Sequence, residues 1–324
     1  MSDFTVSVVI PFYNRAHFLE RTLNSILNQT LRPIEVLLVD NGSDLEQLKI
    51  VKNILLKKKY NVLKITLLHT SESGNANFAR NLGYSRAEGD YVAFLDSDDW
   101  WNPNHLEQSI TVLNNSTAVA VYSGAIFHTK DGIFKKYSID VNQFDNPFDL
   151  ILSSEGHMAV TPSYIVNKRL MNKDIQWDTR LKRHQDFDYF ANIFYNTSGW
   201  CYSPGINVNV DWKDGGTKAS NIDFDSLILF YKKWRNKIPN NIKKQYLLNR
   251  LYFCTKNNAP SYILRYYRDE IKSYNYFSDQ YYRLRCYSIY VELYNHIVDF
   301  LDRSNLKQPI KALYRKSKII KNSK

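Results

Sequence analysis

The chain has 324 residues, 44% apolar and 23% charged, with 43 Lys and Arg against 32 Asp and Glu for a net charge of +11. That length holds one large or two modest domains with ample core, and the composition is ordinary for a globular protein. No apolar run approaches the roughly 18 to 20 residues of a membrane span. Cys201, Cys254 and Cys286 are too few and too scattered for a disulfide framework or a CxxC metal site, which suits a reducing compartment.

The opening "MSDFTVSVVIP" lacks a basic n-region followed by an apolar stretch and a cleavage site, so no signal peptide is expected. The basic balance suits an acidic partner: nucleic acid, an anionic membrane surface or a phosphorylated small substrate.

In chain order, "VSVVIPFYN" (Val6 to Asn14) is a continuous apolar run, as expected of a strand buried on both faces. "AHFLERTLNSILNQT" then places Phe18, Leu19, Thr22, Leu23, Ile26 and Leu27 at helical spacing. A second strand, "IEVLLVDNGS", ends in turn chemistry. A lysine-rich helix from about Leu45 to Lys58, a strand "VLKITLLH" and a helix within "NANFARNLGYSRAEG" follow. The fourth strand opens "YVAFLDSDDWWNP". Alternating strands and helices predict an α/β fold, a mostly parallel doubly wound sheet with helices on both faces. From Ala118 to Trp212 the elements shorten; beyond Ser220 strands stop and residues 224–302 read as packed helices. The expected division is 1–220 and 221–324, the second part ending in a basic tail.

Ligands of such sheets bind outside the carboxyl ends of the strands. Those ends carry Pro11, Tyr13 and Asn14, then Asp40 and Asn41, then Asp96, Asp98 and Asp99. Asp96 and Asp98, two apart, would point the same way along a strand and share one Mn2+ or Mg2+ with waters or phosphate oxygens. Taken alone, an Asp-rich turn is more often an N-cap than a metal site, here Asp99 or Asn102 for the helix after Pro103. Arg80 and Asn81, near a helix start, suit an anion or a surface ion pair. In "RHQDFDYFANIF", Asp186 or Asp188 is either the cap of a helix buried through Phe187, Phe190 and Phe194 or a general base. "DWKDGGTKASN" places Lys213 and Lys218 about two glycines, as a phosphate-closing loop or a plain turn.

Taken together and in order, "VSVVIPFYNR", "VLLVDNGSD", "ARNLGYSRAEGDYVAFLDSDD" and "HQDFDYF" resemble the inverting family 2 glycosyltransferases with the GT-A fold, of the bacterial surface-polysaccharide type, over roughly residues 4 to 215. The resemblance implies a nucleotide-sugar donor, a UDP-sugar carrying a hexose, and transfer to a hydroxyl of a glycan or lipid-linked oligosaccharide acceptor. It implies that Pro11, Tyr13 and Asp40 contact base and ribose, with Asn14 beside them and Asp40 on the uracil imide. Arg80 lies near the nucleotide, Asp96 and Asp98 form the Asp-x-Asp metal motif with Asp98 the direct ligand, and Asp186 is the catalytic base. Two positions depart from the family pattern: Asn41 stands where a second Asp is frequent, and Gln185 where Glu is frequent.

A Mg2+-dependent nucleotidyltransferase is the alternative enzyme, but "PFYNRAHF" offers no Gly-rich phosphate loop after the first strand. A nucleic-acid-binding role is disfavoured by the acidic sheet rim, so no nucleic-acid partner is expected. The tail "KQPIKALYRKSKIIKNSK" can form a basic amphipathic helix with Ile310, Leu313 and Ile320 on one face. The expected location is therefore cytoplasmic, on the inner face of the membrane if that helix docks on anionic lipid.

Overall fold

The computed structural model describes residues 4–70, 75–152, 158–213, 222–276, 282–290, 292–293 and 296. They divide into two compact units, Met1–Pro239 and Asn240–Lys324.

The first unit is α/β. Its main sheet contains β1 (Val6–Phe12), β2 (Glu35–Asp40), β3 (Lys64–His69), β4 (Tyr91–Phe94), β6 (Ala120–Tyr122), β9 (Ile165–Asn167) and β10 (Trp200–Tyr202), in the order β10-β6-β9-β4-β1-β2-β3. Every pairing is parallel except those of β9, which runs antiparallel between β4 and β6. A smaller sheet, β5-β11-β7-β8, combines β5 (Trp100–Trp101), β7 (Ala125–Thr129), β8 (Gly132–Lys136) and β11 (Val208–Asp211). The helices are α1 (Ala16–Leu27), α2 (Leu45–Leu55), α3 (Ala76–Arg86), α4 (His105–Asn114), α5 (Phe148–Ile151), α6 (Gln185–Asn196) and α7 (Phe224–Trp234).

β1 is buried along its whole length, and its alternating side chains feed two cores. Val6, Val8, Ile10 and Phe12 pack with Leu19, Leu23 and Ile26 of α1 and Val51 of α2. The opposite face carries Val9, against which α3 lies so closely that a Cβ on Gly83 would collide with Val9 Cγ1 and stand 3.1 Å from its Cγ2. Farther along the sheet an aromatic layer seats α6. Trp177 stacks on Tyr189 at 4.1 Å between ring centroids, Phe190 on Trp200 at 4.5 Å, and Phe94 meets Trp177 edge-on at 5.3 Å.

α7 belongs to the first unit, so the boundary expected at residue 221 moves to 239. Side-chain chemistry explains the move. Trp234 Nε1 donates to Asp188 Oδ1 at 2.8 Å, and Lys182 N donates to Ser226 Oγ at 2.9 Å. Leu227, Phe230 and Tyr231 are buried. The second unit packs α8 (Asn240–Lys256) on α9 (Ser261–Ser273) through Leu247, Leu251, Ile263, Leu264 and Tyr267, with residues 282–290 also helical.

Among the described residues no helix is long and apolar enough to cross a membrane. The basic tail lies outside them.

The close approach of α3 to β1 predicts that Gly83→Ala overpacks a stiff β-branched neighbour. Stability falls by about 1–3 kcal/mol, read as a lower denaturant midpoint at unchanged slope.

Candidate active site

The carboxyl ends of β1, β2 and β4 meet the start of α3 around a cleft of about 270 Å³. It is lined by Pro11 and Phe12 of β1, Tyr13 and Arg15 just after it, Asn41 after β2, Ala76 and Arg80 of α3, and Asp96, Ser97 and Asp98 after β4. Of the residues singled out in the sequence, Pro11, Tyr13, Asn41, Arg80, Asp96 and Asp98 line it.

β4 ends at Phe94, so Asp96, Asp98 and Asp99 sit on a turn and not on the strand, and strand alternation does not set their directions. Arginines do. Arg80, only 3% exposed, donates from Nη2 to Asp96 Oδ1 at 2.7 Å and from Nη1 to Asn77 Oδ1 at 3.1 Å, with its guanidinium 4.6 Å over the Trp177 ring. Arg15 pairs with Asp98. Arg21 donates to the Asp98 carbonyl at 2.5 Å and to Asp211 Oδ2 at 2.7 Å, stacked 3.9 Å over Trp100.

A polar stripe on α1 holds the same turn in place. Thr22 Oγ1 donates to the carbonyls of Ser97 and Asp99 at 2.9 and 2.8 Å. Gln29, just past α1, donates to the Asn102 carbonyl at 2.8 Å and accepts from Leu106 N at 3.1 Å. Gln29 therefore caps the first turn of α4, the task expected of Asp99 or Asn102. Asp99 instead accepts from Asp211 N at 2.9 Å in a buried position. Burial, with Asp96 and Asp211 nearby, pushes its carboxyl well above the usual carboxylate range despite Arg21.

Other predicted residues stand outside the cleft lining. Asp40 is buried, accepts from Ser43 N at 3.0 Å and pairs with His69 Nδ1 at 3.1 Å. Its neighbour Asn41 faces the cleft, 2% exposed, with Oδ1 bonded to nothing among the described residues. Asn14, at φ 50°, ties the end of β1 to the loop after β2: its Nδ2 donates to Asp44 Oδ2 at 3.1 Å and its Oδ1 accepts from Asp44 N at 2.8 Å. Lys213 is exposed beyond β11, and Lys218 lies outside the described residues.

α6 supplies two carboxylates with opposite environments. Asp188 is fully buried and accepts from Trp234 Nε1, Lys233 Nζ and Asn192 Nδ2. Its oxygens are committed to the α6–α7 junction, which removes it as a base. Asp186, two residues nearer the helix start, is half-buried, its Oδ1 accepting from Phe187 N at 3.0 Å. Desolvation pushes its carboxyl up to about 6, with Asp96 adding to the rise and Arg80 opposing it. Asp186 thus senses both members of the ion pair at the cleft. His184, at φ 57° immediately before α6, stacks on Phe187 at 5.1 Å and fixes the turn that delivers this carboxyl.

Asn41, expected at the rim, lines the cleft, whereas Arg15, Arg21 and Trp177 are not among the residues expected at the site. Arg15 stood within the quoted "PFYNR". Arg21 had no local signal, because its partners are 77 and 190 positions away.

Residues 7–176, more than half of the chain, match the family model described as glycosyl transferase family 2. The amylovoran biosynthesis glycosyltransferase AmsB of Erwinia amylovora is 32% identical over 196 residues, 58% of this chain and 63% of that protein. The UDP-Glc:alpha-D-GlcNAc-diphosphoundecaprenol beta-1,3-glucosyltransferase WfgD of Escherichia coli is 30% identical over 138 residues, 42% and 52% of the two chains. The match thus spans between half and two thirds of these relatives' length. Residues 1–349 of S. aureus TarS, solved in complex with UDP-GlcNAc, share the fold at TM-score 0.55 and 18% identity, covering 86% of this chain and 90% of that one. An α/β sheet of this order, an acidic turn at its rim and the family match lead to one conclusion: the chain belongs to glycosyl transferase family 2, with the GT-A fold.

Proposed function

We propose that the protein is an inverting glycosyltransferase that moves a hexose from a UDP-sugar to a hydroxyl of a glycan or lipid-linked oligosaccharide in surface-polysaccharide synthesis. The observation that carries this reading is Asp186: a carboxyl poised near neutrality beside the Arg80–Asp96 pair at the cleft. A general base works best when its pKa lies near the working pH. The AmsB and WfgD names support a polysaccharide or lipid-diphosphate acceptor.

The nucleotide would enter over Pro11 and Tyr13. Asn41, with its carbonyl oxygen unpartnered, is better disposed than Asp40 to accept from the uracil imide, because Asp40 is spent on Ser43 and His69.

The cleft also fits a divalent cation. Asp96 and Asp98 offer hard oxygen donors. Among the described residues no group of three or more His, Cys, Asp or Glu is arranged around a metal, so the diphosphate and water would complete the shell. Charge favours the same arrangement: Arg15 and Arg80 already balance Asp98 and Asp96. An incoming diphosphate therefore needs further positive charge, which one Mn2+ or Mg2+ supplies. That ion's chemistry is to stabilise the departing nucleoside diphosphate.

For the protein's own part, Arg80 is held by Asn77 and Trp177 in one orientation, so its charge needs no rearrangement as the leaving group forms. Asp186 takes the acceptor proton while that hydroxyl attacks the anomeric carbon opposite the leaving group. One displacement suffices, through an oxocarbenium-like state.

Asp186→Asn should lower transfer by about 100- to 10,000-fold while UDP affinity barely changes. The same substitution has a stability signature. A carboxyl whose folded-state pKa lies above its ordinary value opposes folding once ionised, and that cost is absent when it is protonated in both states. Asp186→Asn therefore raises Tm at pH 7.5 and leaves it unchanged below about pH 4. Near-normal turnover would remove Asp186 as the base.

The wild-type rate should rise with pH through about 6, because only the ionised form accepts a proton. At pH 5 transfer sits about tenfold below its plateau, whereas an ordinary carboxylate would leave it nearly level. A flat profile from pH 5 to 7.5 would contradict the assignment.

Asp98→Asn and chelation by EDTA should each suppress transfer, and added Mn2+ should restore only the chelated wild type. Full activity in excess EDTA would exclude the cation.

A further inference from the structure

A second cavity of about 540 Å³ opens in the same unit, walled by Asn172 and the segment from Asp174 to Thr179, Asn81 of α3, Asn192 and Asn196 of α6, and Lys233 of α7. Its size falls within the range of about 300–1,000 Å³ typical of ligand sites, but its lining is amide-rich where such sites are mostly apolar. From this lining we infer that the cavity is a groove for neutral carbohydrate, separate from the nucleotide cleft.

Hydrogen-bonding capacity carries the inference. Gln176 is exposed, and its amide bonds to nothing among the described residues. Asn192 and Asn196 each use one amide N–H, on Asp188 and on the Asn192 carbonyl, which leaves two side-chain carbonyls to accept and a second N–H on each to donate. Asn172 accepts from Asp174 N through Oδ1, which leaves its NH2 to donate. The groove thus offers donors and acceptors mixed at close range. Sugar hydroxyls, each able to donate and accept, match that mixture.

Charge argues against an anion. Among the described lining residues Lys233 is the one cation, and it already pairs with Asp188 at 2.8 Å and Asp178 at 3.4 Å. Arg180 beside it holds the Asp178 carboxyl down at about 2, so that group stays ionised. Asp174 adds a further carboxylate. A phosphate would find no unpaired cation among the described residues that line the cavity. A hydrocarbon would find only Ile175 and Trp177, both buried.

The groove shares a wall with the cleft. The Trp177 ring supports Arg80 on one side, and the Trp177 backbone is fixed by Asn81, which donates to its carbonyl and accepts from its N–H, both at 2.9 Å. Glycan held here lies one side chain from the residues that would bind the leaving group. Its service as a hold for the acceptor chain rests on the proposed function; its carbohydrate chemistry does not.

The test uses the whole chain and saturation-transfer NMR. The probes are neutral gluco-, galacto- and N-acetylglucosamine tetrasaccharides, with glucose and sodium sulfate for comparison. The expected result is saturable binding of at least one tetrasaccharide, weakened tenfold or more by Gln176→Leu combined with Asn196→Leu, two exposed positions, at unchanged Tm. Absence of saturable binding, binding that persists in the double variant, or competition by sulfate would overturn the groove. UDP affinity is measured alongside in both proteins. Its loss in the wild type would count against the nucleotide-sugar reading and leave the groove result standing by itself.

Discussion

Three carboxylates within four positions repel one another, and the answer to that repulsion organises the first unit. Arg80 comes from α3, Arg15 from the loop before α1, and Arg21 from α1 itself. Each must arrive from a different stretch of chain, so the helices flanking β1 have to be in register with the end of β4. Thr22 on the buried face of α1 and Gln29 just past its end have the same cause. Buried hydroxyl and amide groups would be costly there unless they satisfied the backbone of the acidic turn.

The same neutralisation leaves the cleft balanced and receptive. Two carboxylates, Asp98 and Asp96, matched by the guanidiniums of Arg15 and Arg80 hold little net charge, which is why the proposed function brings a cation in with the diphosphate. Asp99, deeper in the turn, follows the other available route. Desolvation raises its carboxyl well above the usual carboxylate range, and its Oδ1 accepts from the Asp211 backbone N–H at the end of β11.

α6 shows how position within one helix separates two acids. Asp188 is surrounded by donors and joins α6 to α7. Asp186 has one backbone donor and little solvent, so its proton is held more tightly. The first contributes to the fold; the second opposes it when ionised, as functional carboxyls often do. Trp177 links this helix to the cleft by stacking on Tyr189 with one face engaged by Arg80.

The amino-acid sequence by itself determined the elements and the rim. The apolar runs of β1 to β4, the helical spacing of α1 and α6 and the turn residues between them are local signals, each readable within about ten positions. The ordered motifs also placed Pro11, Tyr13, Asp96 and Asp98 at strand ends and Arg80 near a helix start, and these meet at the cleft. Which acid faces which base was not local. That Asn41 faces the cleft while Asp40 turns to His69, that Gln29 caps α4, and that α7 closes the first unit through Asp188 and Trp234 all depend on contacts between residues 29 to 77 positions apart. Periodicity reports which face of an element is buried, but hydrogen-bond partners and desolvation arise only when distant segments pack together, and those decided the chemistry of the site.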